Sequence, residues 1–331
     1  WYDLLINNHH DPQLCMMGPE DLFYEVIRRY DSCQKRTTDV LNRTLKYLTD
    51  DIKTNTADGV PVVVFNPHAW SHTQVVGLWL DGDEFPKGEV HIRDFDGTEI
   101  PSQVDAHGSG RRVLLFQAEM LPPGGWRTYY LTEDACGCPA SITVEPDLLE
   151  NAHLRVELAD GLIQRIIEKD TGTVVFEATD AATVGEVFVF KDEGCIAQIR
   201  PVAEEFMLDP TVIARSSQVE RKVTPQESGC VRGMLQVNFE MDGCKFNQQI
   251  ILSKDSRFLD INITVDWKAD HVTPGDGRRV RMALPSAIES PKVIHDVPYA
   301  VMDYHQTDEI QPTTSFIAVA DADETVGAAL I

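Results

Sequence analysis

The sequence lacks any run of about 18 consecutive apolar residues, the length a helix needs to cross a bilayer, so no membrane partner is expected. Basic residues are scarce, with 29 Lys and Arg against 53 Asp and Glu and a formal net charge of −24. A field of that sign repels phosphate backbones and excludes nucleic acid as an expected partner. Cysteine offers no disulfide framework. The seven thiols, at Cys15, Cys33, Cys136, Cys138, Cys195, Cys230 and Cys244, are odd in number in a chain of 331 residues. Cys136-Gly-Cys138 has one residue between its sulfurs rather than the two of a redox or zinc-knuckle pair. Reduced cysteines point to a cytoplasmic compartment. Internal repeats and low-complexity segments are missing too.

What is present is ordinary for a folded protein, with 43% hydrophobic and 25% charged residues. The length exceeds one typical domain. The chain opens on Trp1 inside an apolar stretch with Leu4, Leu5 and Ile6, and closes on Gly327-Ala-Ala-Leu-Ile331. Natural termini are usually polar and exposed, so both ends read as cuts within a longer polypeptide. From Leu22 to Thr49 apolar residues recur in steps of three and four, through Phe23, Val26, Tyr30, Val40 and Tyr47, with Leu41, Leu45 and Leu48 widening the stripe. This spacing predicts a long helix whose stripe packs against helices mostly outside this chain. Gly18-Pro19-Glu20-Asp21 supplies the proline and acids of a helix start.

Beyond Asp50–Gly59 the pattern turns to strands. Val60–Phe65, Thr73–Leu80, Gly88–Ile92, Val113–Gln117 and Trp126–Leu131 are short β-rich runs separated by turn residues. They predict a small β-sandwich over 58–134. A larger antiparallel set is expected over 141–331, from the Asp160-Gly161 hairpin onward, and its last strands lack an obvious closing edge. The fold class expected is mainly β with an N-terminal helical segment.

One constellation carries chemistry. Asn7-Asn8-His9-His10-Asp11 sets two imidazoles beside a carboxylate. Neutral imidazole and carboxylate oxygen are both zinc ligands. Neighbours on a helix point about 100° apart, so the three cannot all face one cation from a regular helix. A helix end turns two of them inward, and Pro12 fits such an end. A capping Asp with surface histidines is the competing reading. His68, His72, His107, His271, His295 and His305 fall on loops or strand ends and read as solvated. Asn42-Arg-Thr44 and Asn262-Ile-Thr264 match the glycosylation sequon but lie in predicted regular elements.

The stretch Leu4–Gly18, LLINNHHDPQLCMMG, resembles the signature of glycoside hydrolase family 38, in which Gln or Asn precedes His-His-Asp or His-Asp and a Gly follows. Val62-Val-Val-Phe-Asn-Pro-His-Ala-Trp70 resembles the family's "VVVFNPLSW", and Leu121-Pro-Pro-Gly-Gly-Trp-Arg-Thr-Tyr129 its "VPPLGYRTY". Glu150-Asn-Ala-His-Leu-Arg-Val156, Asp160-Gly161-Leu-Ile163 and Lys169-Asp-Thr-Gly172 resemble "ENEFLRVEV–DG–I–DKTG". Trp267, Arg279-Val-Arg281 with Pro285, and Asp296-Val-Pro-Tyr299 fit later segments. The sequence departs from the family at Cys15, Met16 and Met17, where small or hydroxylated residues are usual.

The resemblance implies the middle and C-terminal portion of a retaining α-mannosidase, without its N-terminal catalytic barrel. It implies the end of the catalytic domain and part of a three-helix bundle over 1–53, then a small β-sandwich and a large, galactose-mutarotase-like one, truncated at both ends. His10 is expected to bind one divalent metal, zinc in the family's usual form. Asp11 is expected to hydrogen-bond an α-mannoside hydroxyl, with His9 behind them as a structural partner. The nucleophile is expected outside this chain, which leaves no catalytic residue within it and the chain inactive alone; a homo-oligomer is compatible with all of this. The competing readings are a non-catalytic carbohydrate-binding module, with Trp79, Trp126 or Trp267 stacking on sugars, and a purely structural β-module. Tryptophans are mostly buried, so a core role is expected for all three.

Overall fold

The computed structural model describes residues 2–7, 20–82, 85–106, 111–133, 137–191, 211–268, 278–297, 299–303 and 313–331. Among the described residues, helices α1 (Tyr2–Asn7) and α2 (Glu20–Asp50) come first. Helix α2 starts directly behind Pro19, whose missing N–H costs a helix start nothing. Its 31 residues span roughly 46 Å at 1.5 Å per residue. The apolar stripe is covered near its beginning, where Val26 is buried. Farther along, Val40, Leu41, Tyr47 and Leu48 are exposed, as expected for a helix whose partners lie outside the described residues.

Among the described residues after α2 the regular structure is β, apart from two short 3-10 turns at Thr56–Asp58 and Ser216–Gln218. Residues 60–132 carry β1 (Val60–Phe65), β2 (His72–Trp79), β3 (His91–Asp94), β4 (Glu99–Ile100), β5 (Ser102–Ala106), β6 (Arg112–Leu121) and β7 (Trp126–Thr132). They pair as two antiparallel sheets, β1-β7-β3-β4 and β2-β6-β5. Next come β8 (Thr143–Glu145), β9 (Leu148–Glu150), β10 (Leu154–Ala159), β11 (Leu162–Glu168), β12 (Thr173–Glu177) and β13 (Glu186–Lys191). They are followed by β14 (Thr211–Arg215), β15 (Arg221–Ser228), β16 (Arg232–Met241), β17 (Cys244–Ser253), β18 (Leu259–Asp266) and β19 (Arg278–Ala283). The last are β20 (Lys292–Val297), β21 (Ala300–Asp303), β22 (Ile317–Ala320) and β23 (Gly327–Leu330). Their sheets run β12-β11-β10-β9-β8, β14-β13-β19, β15-β16-β17-β18 and β21-β20-β22-β23, again antiparallel.

The mainly-β expectation holds, and most of the long apolar runs became strands. Asp160-Gly161 and Asp242-Gly243 turn β10 into β11 and β16 into β17 with both residues at positive φ. That backbone matches the right-handed strand twist and favours Asp-Gly. The cores follow from alternation. Ile92, Leu114, Phe116, Ala118, Tyr129 and Leu131 close the space between the first two sheets. Val156, Ile163, Val187, Leu235, Val237, Phe246 and Ile250, from three different sheets, form a second core.

Strand β6 departs from alternation. Val113, Leu114, Leu115 and Phe116 are all buried. Leu114 and Phe116 enter the first core, whereas Val113 and Leu115 pack on Cys230 and Val231 just ahead of β16. A strand covered on both faces reads as a continuous apolar run. The same joint is stapled by Gln103 of β5. Its Oε1 accepts from the backbone N–H of Val231 and of Arg232, each at 2.9 Å, and its Nε2 donates to the Arg232 carbonyl at 3.1 Å. Gly229 makes room for this carboxamide, since any Cβ there would run into it.

Candidate functional site

Residues His9, His10 and Asp11 lie outside the described residues. What the structure shows is how the chain is held immediately before them. Asn7 is buried at the end of α1, and its Nδ2 donates to the Val26 carbonyl of α2 at 2.9 Å. The Tyr30 hydroxyl donates back to the Asn7 carbonyl at 3.1 Å. Arg36 approaches Asp3 at 3.9 Å. The Val26 carbonyl and the Tyr30 hydroxyl of α2, one helical turn apart, therefore grip the residue two positions ahead of His9. The sequence signal for this anchor was Asn7 itself, a polar residue in the apolar stretch Leu4–Ile6 that reads first as part of the histidine motif.

Asn7→Ala removes a buried hydrogen bond and is expected to cost about 1–2 kcal/mol locally. Amide exchange across 2–7 should accelerate while exchange in β16 and β17 stays unchanged. Equal protection of 2–7 in both proteins would show that Asn7 is no anchor.

The donor chemistry of His9, His10 and Asp11 fits a divalent cation, with borderline imidazole nitrogens and a hard carboxylate oxygen. Among the described residues no group of three or more His, Cys, Asp or Glu is placed to hold a metal. The remaining histidines divide. His68 and His72 come together, ring centroids 5.2 Å apart, with Trp70 stacked on His68 at 4.7 Å. His295, expected to be solvated, is buried within β20. His107, His271 and His305 lie outside the described residues. Cys33, Cys138, Cys230 and Cys244 are thiols rather than disulfide halves.

Two of the three tryptophans depart from expectation. Trp79 is 43% exposed and Trp126 50% exposed, whereas Trp267 packs against the second core. Trp79 sits on β2 facing away from the first core, and the Arg111 guanidinium lies over its ring at 4.3 Å. It lines an open cleft of about 1040 Å³ between β2-β6-β5 and β15-β16-β17-β18.

Arg232 belongs to the same cleft and to a charge cluster behind it. Its Nε and Nη2 each donate to the buried Glu227 carboxylate at 2.6 Å, and Asp105 of β5 stands 3.6 Å from it. Burial, joined by the repulsion and shared hydrogen bond of Glu227, pushes the Asp105 carboxyl up to about 6. Sequence reasoning missed this cluster, because its members lie 127 positions apart between residues 105 and 232 and meet only across the joint.

Asn42 and Asn262 of the two sequons lie within α2 and β18, in regular elements as expected. Among the described residues no helix is long and apolar enough to cross a membrane.

Comparison with known proteins fits this architecture. No curated protein matched the sequence. The solved structures similar to it include a protein in the glycosyl hydrolase family 38 from Enterococcus faecalis and an alpha-mannosidase from Enterococcus faecalis V583. The first aligns at 14% identity with a TM-score of 0.72, and the second at 15% with a TM-score of 0.73. Each alignment covers 97% of this chain but only 44% and 43% of the respective structures, so the chain spans less than half their length. Residues 149–331, more than half of the sequence, match the family model for the glycosyl hydrolases family 38 C-terminal domain, and the chain therefore belongs to glycosyl hydrolase family 38.

Proposed function

We propose that the chain works within a longer metal-dependent α-mannosidase that removes terminal α-mannose with retention of configuration. The observation that carries this reading is the family match over residues 149–331. The Asn8-His9-His10-Asp11 sequence directly behind the anchored Asn7 supports it, as does the fold shared with an alpha-mannosidase.

In this reading residues 1–53 are the end of the catalytic domain and one helix of a bundle. The exposed stripe of Val40, Leu41, Tyr47 and Leu48 supports a bundle partner beyond the described residues. Residues 58–134 are a small β-sandwich and 141–331 a large one. The shared cores between sheets support that division. The four free thiols among the described residues fit a reducing compartment.

His10 holds one divalent cation, zinc for preference. The bound cation supplies a Lewis-acid grip on adjacent sugar hydroxyls. Asp11 accepts a hydrogen bond from a mannose hydroxyl and fixes the ring's rotation. His9 donates from its ring to hold its neighbours in register. Asn7, tied to α2, sets where these three begin. The nucleophile and the acid belong to the rest of the polypeptide. Together they perform the two-step displacement of a retaining glycosidase.

The test is hydrolysis of an aryl α-mannoside by the longer protein, with retention read by NMR. Treatment with a chelator should abolish turnover, and added zinc should restore it. Full turnover after chelation, with no metal left by elemental analysis, would remove the metal from the reaction.

A further inference from the structure

The outer face of sheet β15-β16-β17-β18 is built from carboxamides. Gln236, Gln249 and Asn262 stand opposite one another across β16, β17 and β18, and Asn238, Asn247 and Thr264 form the next row. Residues two apart share a face, so both rows point away from Leu235, Val237 and Phe246, which fill the second core. Asn247 Nδ2 donates to Asn238 Oδ1 at 2.7 Å, and Gln236 Nε2 donates to the same oxygen at 3.3 Å. Toward β2-β6-β5 this face becomes one wall of the 1040 Å³ cleft. Gln117 of β6 looks into it from the opposite wall. Gln117 and Gln249 are both half-buried, and neither carboxamide makes a hydrogen bond among the described residues. Two aromatic rings complete the lining, Trp79 at 43% and Phe258 at 65% exposure.

Charge decides the ligand class. The cleft's arginines are already neutralised, Arg232 by Glu227 and Arg257 by Glu168 and Asp170. An anion would have to displace those carboxylates, so phosphate or acidic peptide is disfavoured. Unpaired carboxamides offer a donor and an acceptor on one side chain. They suit vicinal hydroxyls, and an exposed ring offers a flat apolar surface for the C–H face of a pyranose. We propose that this cleft is a non-catalytic binding site for a neutral oligosaccharide, gripped by Trp79 and Phe258 and hydrogen-bonded by Gln117, Gln249 and Asn262. It goes beyond the metal-dependent reaction and uses none of residues 7–11. A volume of this size accommodates more than one sugar ring.

Calorimetric titration of the protein with mannotriose, performed after chelation so that metal-dependent binding is silent, tests the site. The expected result is saturable binding with Kd on the order of 1 mM or tighter, at least tenfold weaker in W79A and in Gln249→Leu. Trp79 is exposed and Gln249 lies on an outer face, so neither change empties a core, and thermal melts verify folding of each variant. No heat up to about 10 mM ligand, or equal affinity in wild type and both variants, overturns the proposal. So does hydroxyl-radical footprinting that finds Trp79 and Phe258 protected in the longer protein without sugar, because another part of the polypeptide then fills the cleft. Because hydrolysis is not the readout, failure here leaves the α-mannosidase reading standing, and failure of metal-dependent turnover leaves this one.

Discussion

His10→Ala in the longer protein is expected to lower bound metal and turnover together, each by at least about 100-fold. Changes merely behind a metal ligand already cost about 10–100-fold, and loss of a ligand removes a direct bond. The paired decline distinguishes a ligand from a fold defect, and melting without metal should shift little. Asp11→Asn should behave differently. Its carboxamide still reaches the sugar but weakens a charge-assisted hydrogen bond, so turnover drops while metal content stays. Unchanged metal content in His10→Ala would take His10 out of the site. An equal loss of metal in both variants would instead make Asp11 a ligand.

Arg232→Met should produce the largest loss of stability, about 3–5 kcal/mol at neutral pH, because it leaves the buried Glu227 carboxylate without its counter-charge. Acid should relieve the defect, and adding Asp105→Asn should relieve it in part. The wild-type protein carries the same physics in milder form. Asp105 titrates at about 6 when folded against 3.8 as its ordinary value. Between those pH values the folded state holds more protons than the unfolded one. Stability from this group is therefore fullest below 3.8 and is lost as pH rises through 6. The loss is on the order of 2–3 kcal/mol for a side chain this well covered. Asp105→Asn should remove that slope. Urea melts at intervals from pH 4.5 to 7.5 read it directly. A wild-type-minus-variant difference that does not change with pH would mean that Asp105 is not held this way.

The sequence made legible what depends on neighbours in the chain. The stripe from Leu22 specified α2 to within two residues at its start, and Val60–Phe65, Leu162–Glu168 and Leu259–Val265 were visible because alternation and β-branching are local properties. Short strands escaped. Glu99–Ile100, Thr143–Glu145 and Ala300–Asp303 exist because a longer partner strand lends them a ladder, and too few residues show a period. Trp79 was misread because hydrophobicity says that a ring seeks cover, not which face of a strand carries it. The anchor of the histidine segment was half legible: Asn7 stood out, but Val26 and Tyr30 as its partners required the helices to be docked. The Asp105–Glu227–Arg232 cluster needed the joint between sheets, which no local pattern encodes.

That joint has an unusual tolerance built into it. Across the joint Gln103 hydrogen-bonds main-chain atoms alone, those of residues 231 and 232. This part of the seam is thus written in one carboxamide and one glycine, while the packing of Val113 and Leu115 on Cys230 and Val231 and the Asp105–Arg232 pair depend on side-chain identity. Changing the side chain at residue 231 therefore leaves the staple's main-chain partners in place, whereas changing Gln103 or Gly229 removes the staple itself.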